Sequence, residues 1–252
     1  MRASTCISLT LVLSAGAGER TVSAQSAART DRVRISINVG AQPSSITFAG
    51  STTKAVYLEN AVVGTTYGVR GGQSFDGGVI VRVVGNFGVG VAVSSFVKRQ
   101  DGAVAGTIPH PFFYNTPRAI AGTAGGLERN ELVTHIQAAY VISSAGKVDF
   151  ALSGGPSFFS VKQGLVSDIT YTEQHPYDSA TFATALTTTV GASKIGFNAG
   201  ADVGVRLSKN VGVGGLVRFS RTSIEFPLPG ATTNVKSDAG GVQVAGGLRL
   251  FF

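Results

Sequence analysis

Residues 238–252 read DAGGVQVAGGLRLFF. Val242, Val244, Leu248, Leu250 and Phe252 stand at alternating positions, with Gly246 as the one gap, and Gln243, Ala245, Gly247, Arg249 and Phe251 fall between them. A period of two with one apolar face marks a half-buried β-strand, because successive side chains of a strand point to opposite sides. The stretch is the last in the sequence and closes on an aromatic residue.

Segments of the same kind precede it. Residues 32–40 set Val33, Ile35, Ile37 and Val39 against Arg34, Ser36 and Asn38. A second segment, ending at Val84, sets Val79, Val81 and Val83 against Gly78, Ile80 and Arg82, and Gly85-Asn86 then gives a tight hairpin signal. Residues 87–98 return with Phe87, Val89, Val91, Val93 and Val97 on one face. Residues 132–143 alternate Ile136, Ala138, Tyr140 and Ile142 with His135, Gln137 and Ala139, and 144–146 turn the chain. Residues 147–162 go back with Val148, Phe150, Leu152 and Phe158 on one side and Asp149 on the other; Pro156 fits only at a bulge beside Gly154-Gly155. Residues 195–207 alternate most cleanly, Ile195 to Leu207 against Gly196, Asn198, Gly200, Asp202, Gly204 and Arg206. After a turn at 208–210, residues 211–223 carry Val211, Val213, Val217 and Phe219.

With the closing segment this predicts eight strands, most about nine residues or longer, enough to cross a bilayer at the usual tilt. Their connections alternate in length. Short turns fall at 85–86, 144–146 and 208–210; long, irregular connections are expected near 50–64, 99–131, 163–193 and 225–237. Short turns at one end and long loops at the other are the asymmetry of a transmembrane barrel.

Composition points the same way. The 34 glycines, about 13% of 252 residues, exceed the usual 7% or so and sit within alternating strands and turns, without a collagen period. Residues 1–24 read as a signal peptide: Arg2, an uncharged run over 6–18, then Val22-Ser23-Ala24 before Gln25. Residues 25–31 would form a short periplasmic segment and 32–252 the barrel domain. Cys6 is the single cysteine and would leave with the signal, which excludes disulfides and thiolate metal sites. Beyond the signal no run of about 18 apolar residues predicts a membrane helix, so a spanning chain must close its backbone hydrogen bonds in a barrel. The net charge of +7 favours anionic surfaces, and export favours lipid phosphate over nucleic acid.

The pattern resembles the small eight-stranded outer-membrane barrels of the OmpA, OmpX and OmpW kind, over residues 32–252. In that family a terminal Phe with alternating apolar residues before it is the assembly signal, which the resemblance assigns to Val242, Val244, Leu248, Leu250 and Phe252, with the barrel assembly machinery as partner. It implies an all-β, eight-stranded antiparallel up-and-down transmembrane barrel in the bacterial outer membrane, with short periplasmic turns and long extracellular loops. The chain departs from many relatives in lacking Trp, so Phe87, Phe150, Phe219, Tyr140 and Phe252 are the candidates for the interfacial girdle.

If the apolar faces meet lipid, the other parity lines the lumen: Arg34, Asn38, Arg82, His135, Gln137, Asp149, Asp202, Arg206, Arg218, Gln243 and Arg249. An eight-stranded barrel is just wide enough for side chains to fill it, so these groups are expected to form a hydrogen-bonded plug. Five arginines against two acids would be costly in a sealed interior, which asks for water or further acids and keeps an anion-favouring channel in view. Arg99, Lys162 and Arg221 lie on the outward parity at the loop ends of strands, where they would meet lipopolysaccharide phosphates. Catalysis has little support: His110 and His175 sit in proline-bearing loops, and His135 beside Thr134 completes no nucleophile arrangement. Three scattered histidines give no metal-ligand spacing, and no cofactor is expected. The reading is a monomeric outer-membrane barrel with a structural, surface-interaction or adhesion role toward an unspecified surface partner. A small porin for hydrophobic or anionic solutes is the alternative, and a secreted soluble ligand-binding barrel a third reading.

Overall fold

The computed structural model describes residues 31–143, 147–229, 231 and 233–252. The expected signal, residues 1–24, the segment 25–30 and the 144–146 turn lie outside the described residues. Ten strands form: β1 (Val33–Gln42), β2 (Ile46–Val56), β3 (Glu59–Val69), β4 (Gly72–Val84), β5 (Phe87–Ile108), β6 (Arg118–Ser143), β7 (Val148–Glu173), β8 (Ala180–Arg206), β9 (Val211–Phe226) and β10 (Val235–Phe251). Eight of them close an antiparallel ring in the order β1–β4–β5–β6–β7–β8–β9–β10, and the ring shuts where β10 pairs with β1 from Arg34↔Phe251 to Ala41↔Val244. The eight crossing segments expected from the sequence are the lower parts of these strands.

Sidedness in this lower tier follows the alternation. Val79, Val91, Ile136, Leu152, Val203, Val217 and Val244 are exposed on the outside, while the intervening residues are buried or half-buried. Hydrocarbon rather than water is the solvent that such a continuous apolar belt requires, and the closed ring leaves no strand edge unpaired within it. Aromatic side chains rim the belt. Phe87, Tyr140, Phe150 and Phe252 lie exposed at the short-turn end, and Phe75, Phe158, Phe197 and Phe219 toward the other. Phe87 meets Tyr140 edge-on at 4.9 Å. At Gly155-Pro156 the β6–β7 ladder lapses, as a missing N–H demands, and Asn198 Nδ2 donates to the freed Gly155 carbonyl at 3.0 Å.

Above the belt the expectation of long irregular loops is wrong for 50–64, 99–131 and 163–193, whereas β9 ends at Phe226 and β10 begins only at Val235. Residues 99–131 and 163–193 extend the strands instead. β5 and β6 stay paired to Ile108↔Arg118, and β7 and β8 to Glu173↔Ala180, leaving only 109–117 and 174–179 as connections. Residues 46–69, which carry the breakers Gly50 and Ser51, form the β2–β3 hairpin, and β3 pairs with β5 from Val62↔Thr107 to Tyr67↔Gly102, beyond the end of β4. The reason lies in what the extension buries. Tyr67, Val104, Ile108, Ile120, Leu127, Leu165, Val166, Ile169, Phe226 and Val235 point inward and form one apolar core. β6 leaves β7 above Arg129↔Gln163, and β8 leaves β9 above Phe197↔Arg221, so this core, not a continuous ladder, holds the upper hairpins together. Phe48 stacks on Tyr67 at 4.8 Å, and the Val166 N–H donates to the Tyr67 hydroxyl at 3.0 Å.

Candidate functional site: the filled lumen

The inward positions of the lower tier stack into layers that cross the barrel. Nearest the short turns, Arg206 donates to Asp149 at 2.7 Å and pairs with Asp31, its guanidinium lying 3.8 Å from the Phe251 ring centre. Arg82, half-buried, donates to the Ser143 hydroxyl at 3.1 Å. In the next layer Asp202 of β8 accepts from Arg249 through two contacts, at 2.6 and 3.1 Å, and pairs with Arg34 of β1. Arg249 also donates to the Asn38 side-chain oxygen Oδ1 at 2.6 Å; Asn38 Nδ2 in turn donates to Asp76 at 2.9 Å, and Asp76 pairs with Arg218 of β9. One connected set of charges therefore spans β1, β4, β8, β9 and β10.

A neutral layer follows. His135 of β6 bridges Ser94 of β5, at 3.0 Å from Nε2, and Ser157 of β7, at 2.8 Å from Nδ1. Asn198 of β8 donates to Ser157 at 2.8 Å and accepts from Gln137 at 2.9 Å. Gln243 lies buried on the same inward parity. The topmost layer centres on Arg129, fully buried, which donates to Glu131 at 2.6 Å, to Gln163 at 3.2 Å, to Ser237 at 3.1 Å and to the Asp238 carbonyl at 2.6 Å. Glu131 is completed by the Gly240 N–H at 3.0 Å. Gly240 adopts φ 87°, and a Cβ there would stand 2.3 Å from the Ser220 carbonyl, so only glycine brings that N–H to the carboxylate. The apolar core starts around this layer, with Phe96 level with Glu131 and Val133 and Phe159 just below it, and continues above.

All eleven lumen residues anticipated from parity thus face inward, Asp202, Arg206 and Arg82 less deeply than the rest. The count of two acids is corrected. Asp76 and Asp31 join Asp149 and Asp202 opposite the five arginines, and Arg129 brings its own partner in Glu131. Removing charges from water is tolerable only when each is paired and its hydrogen bonds are met. With these further acids, four of the five arginines have counter-charges; Arg82, half-buried, has the Ser143 hydroxyl instead, and Arg34 Nη1 and Arg218 Nε stay without a hydrogen-bond partner among the described residues. Asp76 escapes a sequence reading that starts the second strand near Gly78, and Arg129 and Glu131 fall in a stretch read as loop. The inward alternation Arg129, Glu131, Val133, His135, Gln137 is their signal.

Outside the lumen, Arg99 is exposed and pairs with Glu128 at 3.0 Å, Arg221 is exposed and pairs with Asp238 at 2.6 Å, and Lys162 is exposed. His135 has no carboxylate in hydrogen-bond contact and is sealed from both ends. His110 Nδ1 accepts the N–H groups of Phe112 and Phe113 at 3.1 and 3.2 Å, which makes it a fixture of its loop. Among the described residues no three His, Cys, Asp or Glu side chains gather as metal ligands.

No family model and no curated protein matches the chain. Solved structures do. The outer membrane protein OprG from Pseudomonas aeruginosa is 8% identical over 88% of this chain and 97% of its own, with a TM-score of 0.46. Neisserial surface protein A is 11% identical over 87% and 97%, TM-score 0.39. The outer membrane protease OmpT from Escherichia coli is 10% identical over 90% and 100%, TM-score 0.38. Identities this low concern the shape of a chain alone. Closed ring, apolar belt and polar interior together give this protein the architecture of a membrane-spanning β-barrel.

Proposed function

We propose that the protein is a sealed, monomeric outer-membrane barrel whose role is structural and surface-interactive: it holds a stiff extracellular platform and offers it for contact or adhesion. The observation that carries this reading is the lumen, where stacked layers of paired side chains end beneath an apolar core. A solute would have to part the Arg129–Glu131 pair and then cross that core. Planar-bilayer recording of the purified protein tests it. Silence is expected, and a stable unitary conductance would overturn the plug in favour of the small-porin alternative. A non-enzymatic role accords with His135 being closed off from substrate.

Export by the N-terminal signal, and recognition of Val242, Val244, Leu248, Leu250 and Phe252 by the assembly machinery, complete the proposal. The strand concerned, β10, is the one that shuts the ring, so its assembly is the closing step. At the outer rim, Arg99, Lys162 and Arg221 are proposed to meet lipopolysaccharide phosphates, supported by their exposure just above the apolar belt. Replacing all three by Gln should lower the lipopolysaccharide that co-purifies with the barrel; unchanged retention would remove that contact.

A further inference from the structure

The outermost part of the molecule is formed by three turns that meet: Tyr57-Leu58 between β2 and β3, residues 109–117 between β5 and β6, and residues 174–179 between β7 and β8. The non-glycine residues with positive φ among the described residues all lie here: Tyr57 at 52°, Leu58 at 69°, Asn115 at 58° and Tyr177 at 72°. Tyr57 and Leu58 fill both central positions of a two-residue hairpin turn, where Asn-Gly is the ordinary choice and a bulky residue is strained. The strain serves to display large side chains at the tip. Leu58 is 101% exposed, Tyr114 83%, Phe112 72% and Phe113 62%.

The base beneath them is rigid. Arg118, buried, donates to the Pro109 carbonyl at 2.6 Å and the Tyr177 carbonyl at 3.0 Å, and pairs with Glu173. The Tyr57 hydroxyl donates to Glu173 at 3.0 Å, the Asn115 N–H donates to Glu59 at 3.0 Å, and Phe112 meets Tyr177 edge-on at 5.4 Å. The polar groups of the base are thus engaged with one another; Leu58 and Tyr114 stand out above them, and Phe112 and Phe113 rest one ring edge on Tyr177 and His110 while staying mostly exposed. Among the described residues no unpaired Lys or Arg stands beside these side chains: Arg118 is buried, and Lys54, exposed three residues before Tyr57, is paired with Asp168. From Val97, at the top of the belt, to Ile108 is 11 residues, roughly 35 Å of strand, so the tip lies well clear of the barrel's own membrane.

We propose that Leu58, Phe112, Phe113 and Tyr114 form a lipid-contacting tip that enters the interface of a second, apposed bilayer of zwitterionic phospholipid. The inference rests on the surface-contact reading above and names the surface. Apolar and aromatic side chains projecting from two turns, Leu58 from one and Phe112, Phe113 and Tyr114 from the other, suit a partner that moulds around them, and rings of this kind settle at the headgroup level. The absence of a free cation at the tip sets it apart from a binder of anionic headgroups, and the exposed Asp178 carboxylate beside it strengthens that distinction.

Full-length protein in nanodiscs, floated with pure phosphatidylcholine vesicles, provides the test. The wild type should rise with the vesicles. The variant L58N/F112S/F113S/Y114S should lose about tenfold of that retention while keeping the heat-dependent gel shift of a closed barrel, because the ring contacts it removes, Phe112 with Tyr177 and Phe113 with His110, lie within the tip turns and none of the four side chains belongs to the apolar core. Retention that survives the four substitutions, a wild type that stays behind, or retention that appears only with anionic lipid would each overturn the proposal. Conductance is read separately. A silent barrel that fails to float keeps the sealed platform and loses the lipid contact, whereas a conducting barrel that floats does the reverse.

Discussion

The same strands obey opposite rules below and above the Arg129 layer. On β5 the lower tier turns Val89, Val91 and Val93 outward and Gly90, Ala92 and Ser94 inward; a few residues on, Val104 and Ile108 turn inward and Ala103, Ala105 and Thr107 outward. β6 repeats the inversion, with Ile136 outside and His135 inside below, and Glu128 outside and Leu127 inside above. On β5 the alternation runs through unbroken, and on β6 it resumes after a bulge at Gly125-Gly126; what changes is the surrounding solvent. In hydrocarbon the outer face must be apolar, and the polar residues pair within the lumen; in water the apolar residues return to the inside. Arg129 and Glu131 sit at the crossover, the last charges before the core takes over.

The comparison breaks most easily at that crossover. Glu131→Ala would leave Arg129 buried without its counter-charge and should cost about 3–5 kcal/mol, read as a lower urea midpoint for barrel unfolding in phospholipid vesicles. The double replacement R129M/E131L, which removes both charges and extends the apolar core downward by one layer, should cost far less. If the single and double variants lost equally, the two residues would be acting through packing and the layer would not be an electrostatic junction.

A second pair of substitutions sharpens the outer half of the contrast. Val91→Arg places a charge in the middle of the belt and should destabilise by about 2–4 kcal/mol. Ala105→Arg, also outward on β5 but above the inversion, should change stability by no more than about 0.5 kcal/mol. Equal penalties in the same vesicle assay would mean that the apolar belt extends higher than the inversion indicates.

The sequence makes the lower tier legible because its two faces differ strongly: Val, Ile, Leu and Phe against Gly, Ser, Asn and Arg. Eight crossings, the closing strand and the lumen residues follow from period two alone. The upper tier has a weak contrast. Val104 and Ile108 alternate with Ala103, Ala105 and Thr107, and Ile120 and Ala124 with Ala119, Ala121 and Thr123, so alternation fades into what looks like a Gly- and Thr-rich loop. Pro109, Pro111 and Pro117 reinforce that impression, although they occupy only the connection. Partners within the lumen are equally hidden, since Arg218 and Asp76 are 142 residues apart and meet only once the ring has closed.

The smallest effect concerns a single phenol inside the upper core. Burial holds the Tyr67 hydroxyl above its ordinary value of 10.0, an effect its hydrogen bonds to Val166 and Thr65 oppose. A group whose folded value is raised contributes stability that is whole below the unfolded value and is lost as pH rises through the folded one. The upper tier should therefore keep this contribution up to about pH 10 and weaken above it, while the lower tier, whose lumen is closed by arginine–carboxylate pairs, stays folded. Ultraviolet titration should show one tyrosine ionising later than the exposed ones, and Tyr67→Phe should erase that late step together with the alkaline loosening of β3 against β7 seen by hydrogen exchange. A Tyr67 that ionised with the exposed tyrosines would mean that water reaches the upper core, and the difference between the two tiers would then be one of residue type without a difference in dryness.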